Sequence, residues 1–90
     1  MSDSNPTQWF VYILCCADDT LYTGVTTDLE RRLHQHNHLV SGARYTRARR
    51  PVTLVWHCRA DSRSAACQQE YRIKQLSRAE KQQLIEGKLS

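Results

Sequence analysis

Between Glu30 and Asp61 the sequence contains no acidic residue. The same stretch holds Arg31, Arg32, Arg44, Arg47, Arg49, Arg50 and Arg59, together with all four histidines, His34, His36, His38 and His57. With histidine neutral, the middle third therefore carries +7 and the rest of the chain −3, although the whole is only +4. An acid-free basic segment points to a polyanion-binding surface or to a solvated basic face. Other absences are as telling. No apolar run approaches the roughly 20 residues that a membrane span needs, so a membrane protein is not expected. Residues 1–8 are polar and lack the apolar region of a secretory signal, which makes the cytoplasm the expected location. The four cysteines, Cys15, Cys16, Cys58 and Cys67, form no Cys-x-x-Cys pair that would start a zinc site or a redox motif. They sit in apolar runs and read as small buried hydrophobes. There is no internal repeat, low-complexity tract or linker.

Ninety residues make one small domain, with 40% hydrophobic content for one modest core. Residues 1–8 are expected to form a flexible arm and residues 9–87 the domain. Trp9-Phe10-Val11-Tyr12-Ile13-Leu14-Cys15-Cys16 is aromatic, β-branched and apolar at successive positions, the pattern of a strand buried on both faces. Ala17–Thr20 has the length of a hairpin turn, and Leu21–Thr26 follows as a second, antiparallel strand. Thr27-Asp28-Leu29-Glu30 fits a capping box, with Thr27 accepting and Glu30 reaching back, and opens a helix that fades near His38 or Leu39. Ser41-Gly42 marks a break. Residues 42–51 form a basic loop or short irregular helix, and residues 52–58 a third strand. A helix from Ser62 or Ser64 to Leu76 follows. Ser77 and Glu80 make a second capping box for a last helix that stops at Gly87. The order β-β-α-β-α-α predicts an α+β fold, a three-stranded antiparallel sheet flanked by helices.

Several side chains invite chemistry. Glu70 falls among Ala66, Cys67 and Ile73 on a helix, and a carboxylate on an apolar side needs a cation, either a structural ion-pair partner or a metal. Tyr12 and Tyr22 lie in the paired strands, where packing is their ordinary role. Arg32 and His36 lie one turn apart and could reach one anion. His34 and His38 have the spacing of a metal pair, but without a second ligand cluster a solvated helix face fits them better. Arg44-Tyr45-Thr46-Arg47-Ala48-Arg49-Arg50 interleaves guanidinium groups with a ring, as phosphate contacts and base stacking require.

Val11-Tyr12-Ile13, ten residues before Tyr22-Thr23-Gly24, resembles the GIY-YIG nuclease domain. The likeness continues through Thr26, Leu29, Arg32-Leu33 and His36, and Glu70 falls where that family keeps a metal-binding glutamate. It covers residues 9–86 and is greatest to small stand-alone bacterial members, through Gly42-Ala43, Tyr45-Thr46 and the run from Glu70 to Lys81. The resemblance implies a metal-dependent nuclease that hydrolyses a phosphodiester bond in DNA, in repair or recombination. It implies one Mg2+ or Mn2+ on Glu70, Tyr12 and Tyr22 bracketing the attacking water, Arg32 on the phosphate and His36 assisting. Tyr22 is the slightly preferred general base. Arg31, Arg44, Tyr45, Arg47, Arg49 and Arg50 are the expected nucleic-acid contacts. DNA is favoured over RNA, and with no separate target-reading domain, specificity is left to DNA shape, to a protein partner, or to neither. Three departures stand out: the first motif lacks its leading glycine, Thr23 replaces an isoleucine, and a C-terminal asparagine has no counterpart. They leave a second reading open, a nucleic-acid-binding module on the same fold with little or no catalytic activity.

Overall fold

The computed structural model describes residues 8–38 and 44–88. Residues 1–7, which make up nearly all of the expected arm, and the Ser41-Gly42 break lie outside the described residues, as does the side chain of Arg44. The elements run β1 (Trp9–Cys15), β2 (Leu21–Thr26), α1 (Leu29–His38), α2 (Arg44–Arg47), β3 (Thr53–Ala60), α3 (Arg63–Lys74) and α4 (Arg78–Ile85). This is the expected α+β order, with the short helix α2 inside the basic stretch. The sheet is antiparallel throughout, in the order β2-β1-β3.

The central place of β1 follows from its composition, because only a strand covered on both faces can bury apolar side chains at successive positions. Val11 and Ile13 point to one face, where Ala66 and Ile73 of α3 and Leu84 and Ile85 of α4 close over them. Tyr12 and Leu14 point to the other, against Leu29 and Leu33 of α1 and Leu54 of β3. Four consecutive residues, Val11 to Leu14, are thus buried, and the two cores share one strand.

The helix ends mostly obey their expected signals. Ser77 and Glu80 form the reciprocal capping box of α4, and Ser62 caps α3. Gly87 has a φ of 80°, the left-handed conformation that closes a helix and that glycine adopts without strain. At α1 the cap is one residue later than expected. Asp28 Oδ1, not Thr27, accepts from the Arg31 N–H at 3.0 Å. Thr26 Oγ1 accepts from the Asp28 N–H, so β2 passes into α1 through a hydroxyl–carboxylate relay. Asn37 then ties α1 to the start of β3: its amide donates to Val52 O at 3.1 Å and accepts from Val52 N at 2.7 Å. The cysteine expectation holds fully only at Cys16; Cys15 and Cys58 are half-buried, and Cys67 departs from it outright. All four are free, and Cys16 is buried, but Cys67 is exposed on α3 because Ala66 and Ile73 take the inward positions there. No described helix is long and apolar enough to cross a membrane.

Candidate active site

Tyr12 sits on the central strand directly opposite Gly24 of β2. That glycine makes room for the ring. A Cβ at position 24 would lie 2.5 Å from the Tyr12 hydroxyl oxygen and 2.7 Å from the ring carbon that bears it. The ring therefore lies across the neighbouring strand, and its hydroxyl reaches toward α1. There it meets His36 Nε2 at 2.9 Å and hydrogen-bonds with Arg32. Tyr12 is 2% exposed, and its phenol is pushed up to about 12. Burial is the main cause; the bond from Arg32 opposes it, and Tyr22 and Glu70 reinforce it. Three neighbours of Tyr12 bear on the site: Tyr22, the guanidinium of Arg32 and the carboxylate of Glu70 each lie within electrostatic reach of its hydroxyl.

His36 is fully buried on the inward face of α1. Its Nδ1 stands 2.7 Å from Thr46 Oγ1 of α2, so both ring nitrogens are engaged inside the protein. Burial pushes its pKa down to about 4, with Arg32 and Arg50 adding to the effect, and the imidazole is neutral near pH 7. A neutral imidazole has one donor and one acceptor nitrogen. Arg32 can only donate, so it takes a lone pair on the Tyr12 oxygen. The buried Tyr12 O–H then needs an acceptor, and His36 Nε2 is the one within reach. This assigns the tautomer with the proton on Nδ1, donating to Thr46. His36 thus holds Tyr12 instead of reaching an anion beside Arg32.

Tyr22 is half-buried and fits into an aromatic row. Its ring centroid lies 5.2 Å from His36 and 6.4 Å from Tyr12, and it stacks on Tyr45 at 5.8 Å and 28°. Arg32, also half-buried, donates to Gln35 Oε1 at 2.9 Å in addition to its bond with Tyr12. Glu70 reaches the cluster from α3 and is 23% exposed. It pairs with Lys74 at 3.2 Å, one turn on, but the lysine is 53% exposed. A solvent-facing pair of this spacing contributes only about 0.3–0.5 kcal/mol, too little to withhold the carboxylate from a ligand.

Among the described residues no three His, Cys, Asp or Glu side chains come together. Glu70 is the one carboxylate beside the tyrosines. That donor set fits Mg2+ or Mn2+, which keep several waters and take the rest of their oxygens from one or two carboxylates and substrate phosphate. It does not fit a zinc cage. His34 and His38 are exposed, with ring centroids 4.7 Å apart, and no third ligand joins them among the described residues.

The expected nucleic-acid contacts divide. Arg31 and Arg47 are exposed. Arg49 is committed internally: its Nε donates to Asp18 Oδ2 at 3.1 Å, its Nη1 to Tyr45 O at 2.8 Å, and its guanidinium lies 4.0 Å over the Tyr45 ring. Arg50 donates to the carbonyls of Gln35 and His36, closing the C-terminal turn of α1. Tyr45 is 38% exposed, with Tyr22 and Arg49 already against its ring.

A family model described as the GIY-YIG catalytic domain matches residues 8–83. The chain belongs to the GIY-YIG family. That is a nuclease-type family, whose members generally depend on a divalent metal. Its relatives include a UPF0213 protein of Desulfotalea psychrophila, 55% identical over 88% of this chain and 72% of its own length. A UPF0213 protein of Natronomonas pharaonis is 57% identical over 84% of this chain and 88% of its own length. The solution NMR structure of a UPF0213 protein from Bacillus halodurans superposes with a TM-score of 0.58 at 44% identity, covering 90% of this chain and 85% of that one. A protein from E. faecalis, also solved by NMR, gives 0.63 at 38% identity, covering 92% and 88%.

Within this GIY-YIG domain, sequence reasoning noted Thr46 as a motif residue but gave it no role. A buried threonine amid arginines has no local signal, and only the return of α2 over α1 reveals its bond to His36. Gly24 was visible as a motif residue, but its purpose, room for Tyr12, appears only in the strand register.

Proposed function

We propose that residues 9–87 form one divalent-metal-dependent nuclease unit that hydrolyses phosphodiester bonds in DNA, working in the cytoplasm in repair or recombination. What supports this reading is that Tyr22 of β2, Arg32 of α1 and Glu70 of α3 all act electrostatically on Tyr12 of β1. Each group has a distinct task. Glu70 would hold a single Mg2+ or Mn2+, which when bound supplies Lewis-acid stabilisation of charge on the phosphate. Arg32 neutralises a non-bridging phosphate oxygen. Tyr22 acts as its phenolate, its own proton having passed to solvent, and takes the proton of the attacking water, with Arg32 helping to hold the phenolate charge. It is half-buried, whereas Tyr12 is 2% exposed, bonded to His36 and Arg32, and raised to about 12. Tyr12 and His36 position Arg32 and pack the inner side of the cluster. Water attack forms one P–O bond and breaks another, and the leaving oxygen takes up a proton from solvent. Specificity comes from DNA shape or a protein partner.

The test is a cleavage panel of single-stranded, duplex and branched DNA and the corresponding RNA, with Mg2+ or Mn2+. Wild type should nick at least one form, and Glu70→Gln, Arg32→Ala and Tyr22→Phe should each lose at least roughly 100-fold. Failure of the wild type on every substrate and metal refutes the nuclease. The first motif's missing leading glycine and Thr23 in the second favour one second reading, a binding module without cleavage. That reading predicts substrate binding unchanged in Glu70→Gln and no metal-dependent nicking by the wild type.

A further inference from the structure

The two faces of β3 have different fates. On one face Trp56, Cys58 and Ala60 pack with the core beneath α3 and α4. On the other, α1 covers Leu54, Leu14 and Tyr12 but stops short of the strand end. The register places His57 opposite Tyr12 and Arg59 opposite Phe10, and paired residues share a face. Phe10 and His57 meet edge to face, with ring centroids 6.4 Å apart. Both His57 and Arg59 are exposed, and no described carboxylate pairs with Arg59. On the far side of β1, Thr26 pairs with Phe10 and lines a shallow concavity with Arg31 and Arg32. An aromatic pair and outward arginines therefore continue directly from Tyr12, across a sheet surface with no helix over it among the described residues.

We propose that this uncovered end of the sheet holds a single-stranded stretch of the substrate, with bases on Phe10 and His57 and phosphates on Arg59 and Arg31. The proposal rests on the nuclease reading of the adjoining site. Two observations select this occupant. The surface draws its basic residues, Arg31, His57 and Arg59, from the acid-free segment, and they outweigh the one carboxylate of the concavity, Asp28, so its charge suits a polyanion. It is also continuous with the site, so a strand bound here reaches Arg32 without a turn. Rings on an open sheet favour unpaired bases, whose faces a duplex hides. The arginines expected to form the track fit less well, because Arg49 and Arg50 are spent on Asp18 and on the carbonyls of α1.

The experiment measures binding of fluorescein-labelled oligothymidylate and of a blunt duplex by anisotropy, in EDTA, over a KCl series. Cleavage is followed in parallel with Mg2+. Arg59→Ala and Arg31→Ala should each lower the slope of log affinity against log salt by about 0.7 on the single strand. His57→Ala should weaken single-strand binding by roughly fivefold or more at an unchanged slope. Arg72→Ala, on the outer side of α3, should leave both quantities as in the wild type. Unchanged slopes in the Arg59 and Arg31 variants overturn the proposal, and so does an equal loss in Arg72→Ala. Equal or tighter duplex binding that is insensitive to His57→Ala overturns its single-stranded character. A wild type that cleaves while these variants bind normally refutes the strip alone. A wild type that binds through the strip yet never cleaves refutes the nuclease alone.

Discussion

Gly24 is where local chemistry and the site meet most directly. A methyl group there would overlap the Tyr12 hydroxyl, and Tyr12 has nowhere to retreat because His36 and Arg32 hold it. Gly24→Ala should destabilise the domain by about 1–3 kcal/mol, as overpacking does, and abolish cleavage with it. Urea unfolding and the nicking assay check the two effects. Thr46 gives a subtler outcome. Thr46→Val keeps the shape but leaves the buried His36 Nδ1–H without its acceptor, at a cost of about 1–3 kcal/mol. Thr46→Ser keeps the oxygen and should cost clearly less. Nitrogen NMR of the imidazole should report the Nδ1–H tautomer in the wild type and its loss in Thr46→Val alone. His36 also sets a pH dependence. Its folded pKa of about 4 lies below the ordinary 6.5, so the unfolded chain binds the proton more readily between those values. Stability should fall as pH drops from about 6.5 to about 4, by roughly 1.4 kcal/mol per unit of depression. Denaturation midpoints across that window should show the slope in the wild type and lose it in His36→Gln.

Element boundaries separate what the sequence makes plain from what it hides. The opening aromatic run identifies β1 as a central strand because four successive apolar positions can be buried only in a strand covered on both faces. Ser77 and Glu80 identify the start of α4 because their spacing satisfies two backbone N–H groups at once. The start of α1 is harder, since Thr26, Thr27 and Asp28 are all capping residue types. Which one turns inward depends on how β2 exits the sheet. The structure chooses Asp28, with Thr26 supporting it. Asp28→Ala should cost about 0.5–2 kcal/mol, while Thr27→Ala, at an exposed position, should be nearly silent. Thermal unfolding of the two variants side by side distinguishes them, and an equal loss in both would restore the Thr27 cap. Motif order is what proposes Tyr12, Tyr22, Arg32 and Glu70 as a candidate set. The second layer, Thr46 on His36, is not legible in that order, because it depends on two segments ten residues apart meeting in space.

At the scale of the whole molecule, the acid-free segment is not a uniform basic surface. Arginine's fork serves backbone carbonyls, carboxylates and phosphates equally well, so sequence cannot tell an internal strut from an outward contact. In the fold, Arg32, Arg49 and Arg50 turn inward, and Arg31, Arg47 and Arg59 face solvent. Arg49 is the informative strut. It joins the β1–β2 turn to α2 across 31 residues, and its own carbonyl accepts from the Ala17 N–H at 2.9 Å. Thr20 and then Arg49 hold the Asp18 carboxyl below its ordinary range, so the clamp stays charged into mild acid. Through Tyr45 and Thr46, this clamp presses α2 against Tyr22 and His36. Arg49→Ala should therefore loosen α2 and cut cleavage by roughly tenfold while costing only about 0.2–1 kcal/mol of global stability. Hydrogen exchange of the α2 amides should accelerate, and the salt slope of single-strand binding should stay at the wild-type value. A strut and a phosphate contact make opposite predictions here. If the slope fell by about 0.7 with α2 exchange unchanged, Arg49 would belong to the substrate track after all.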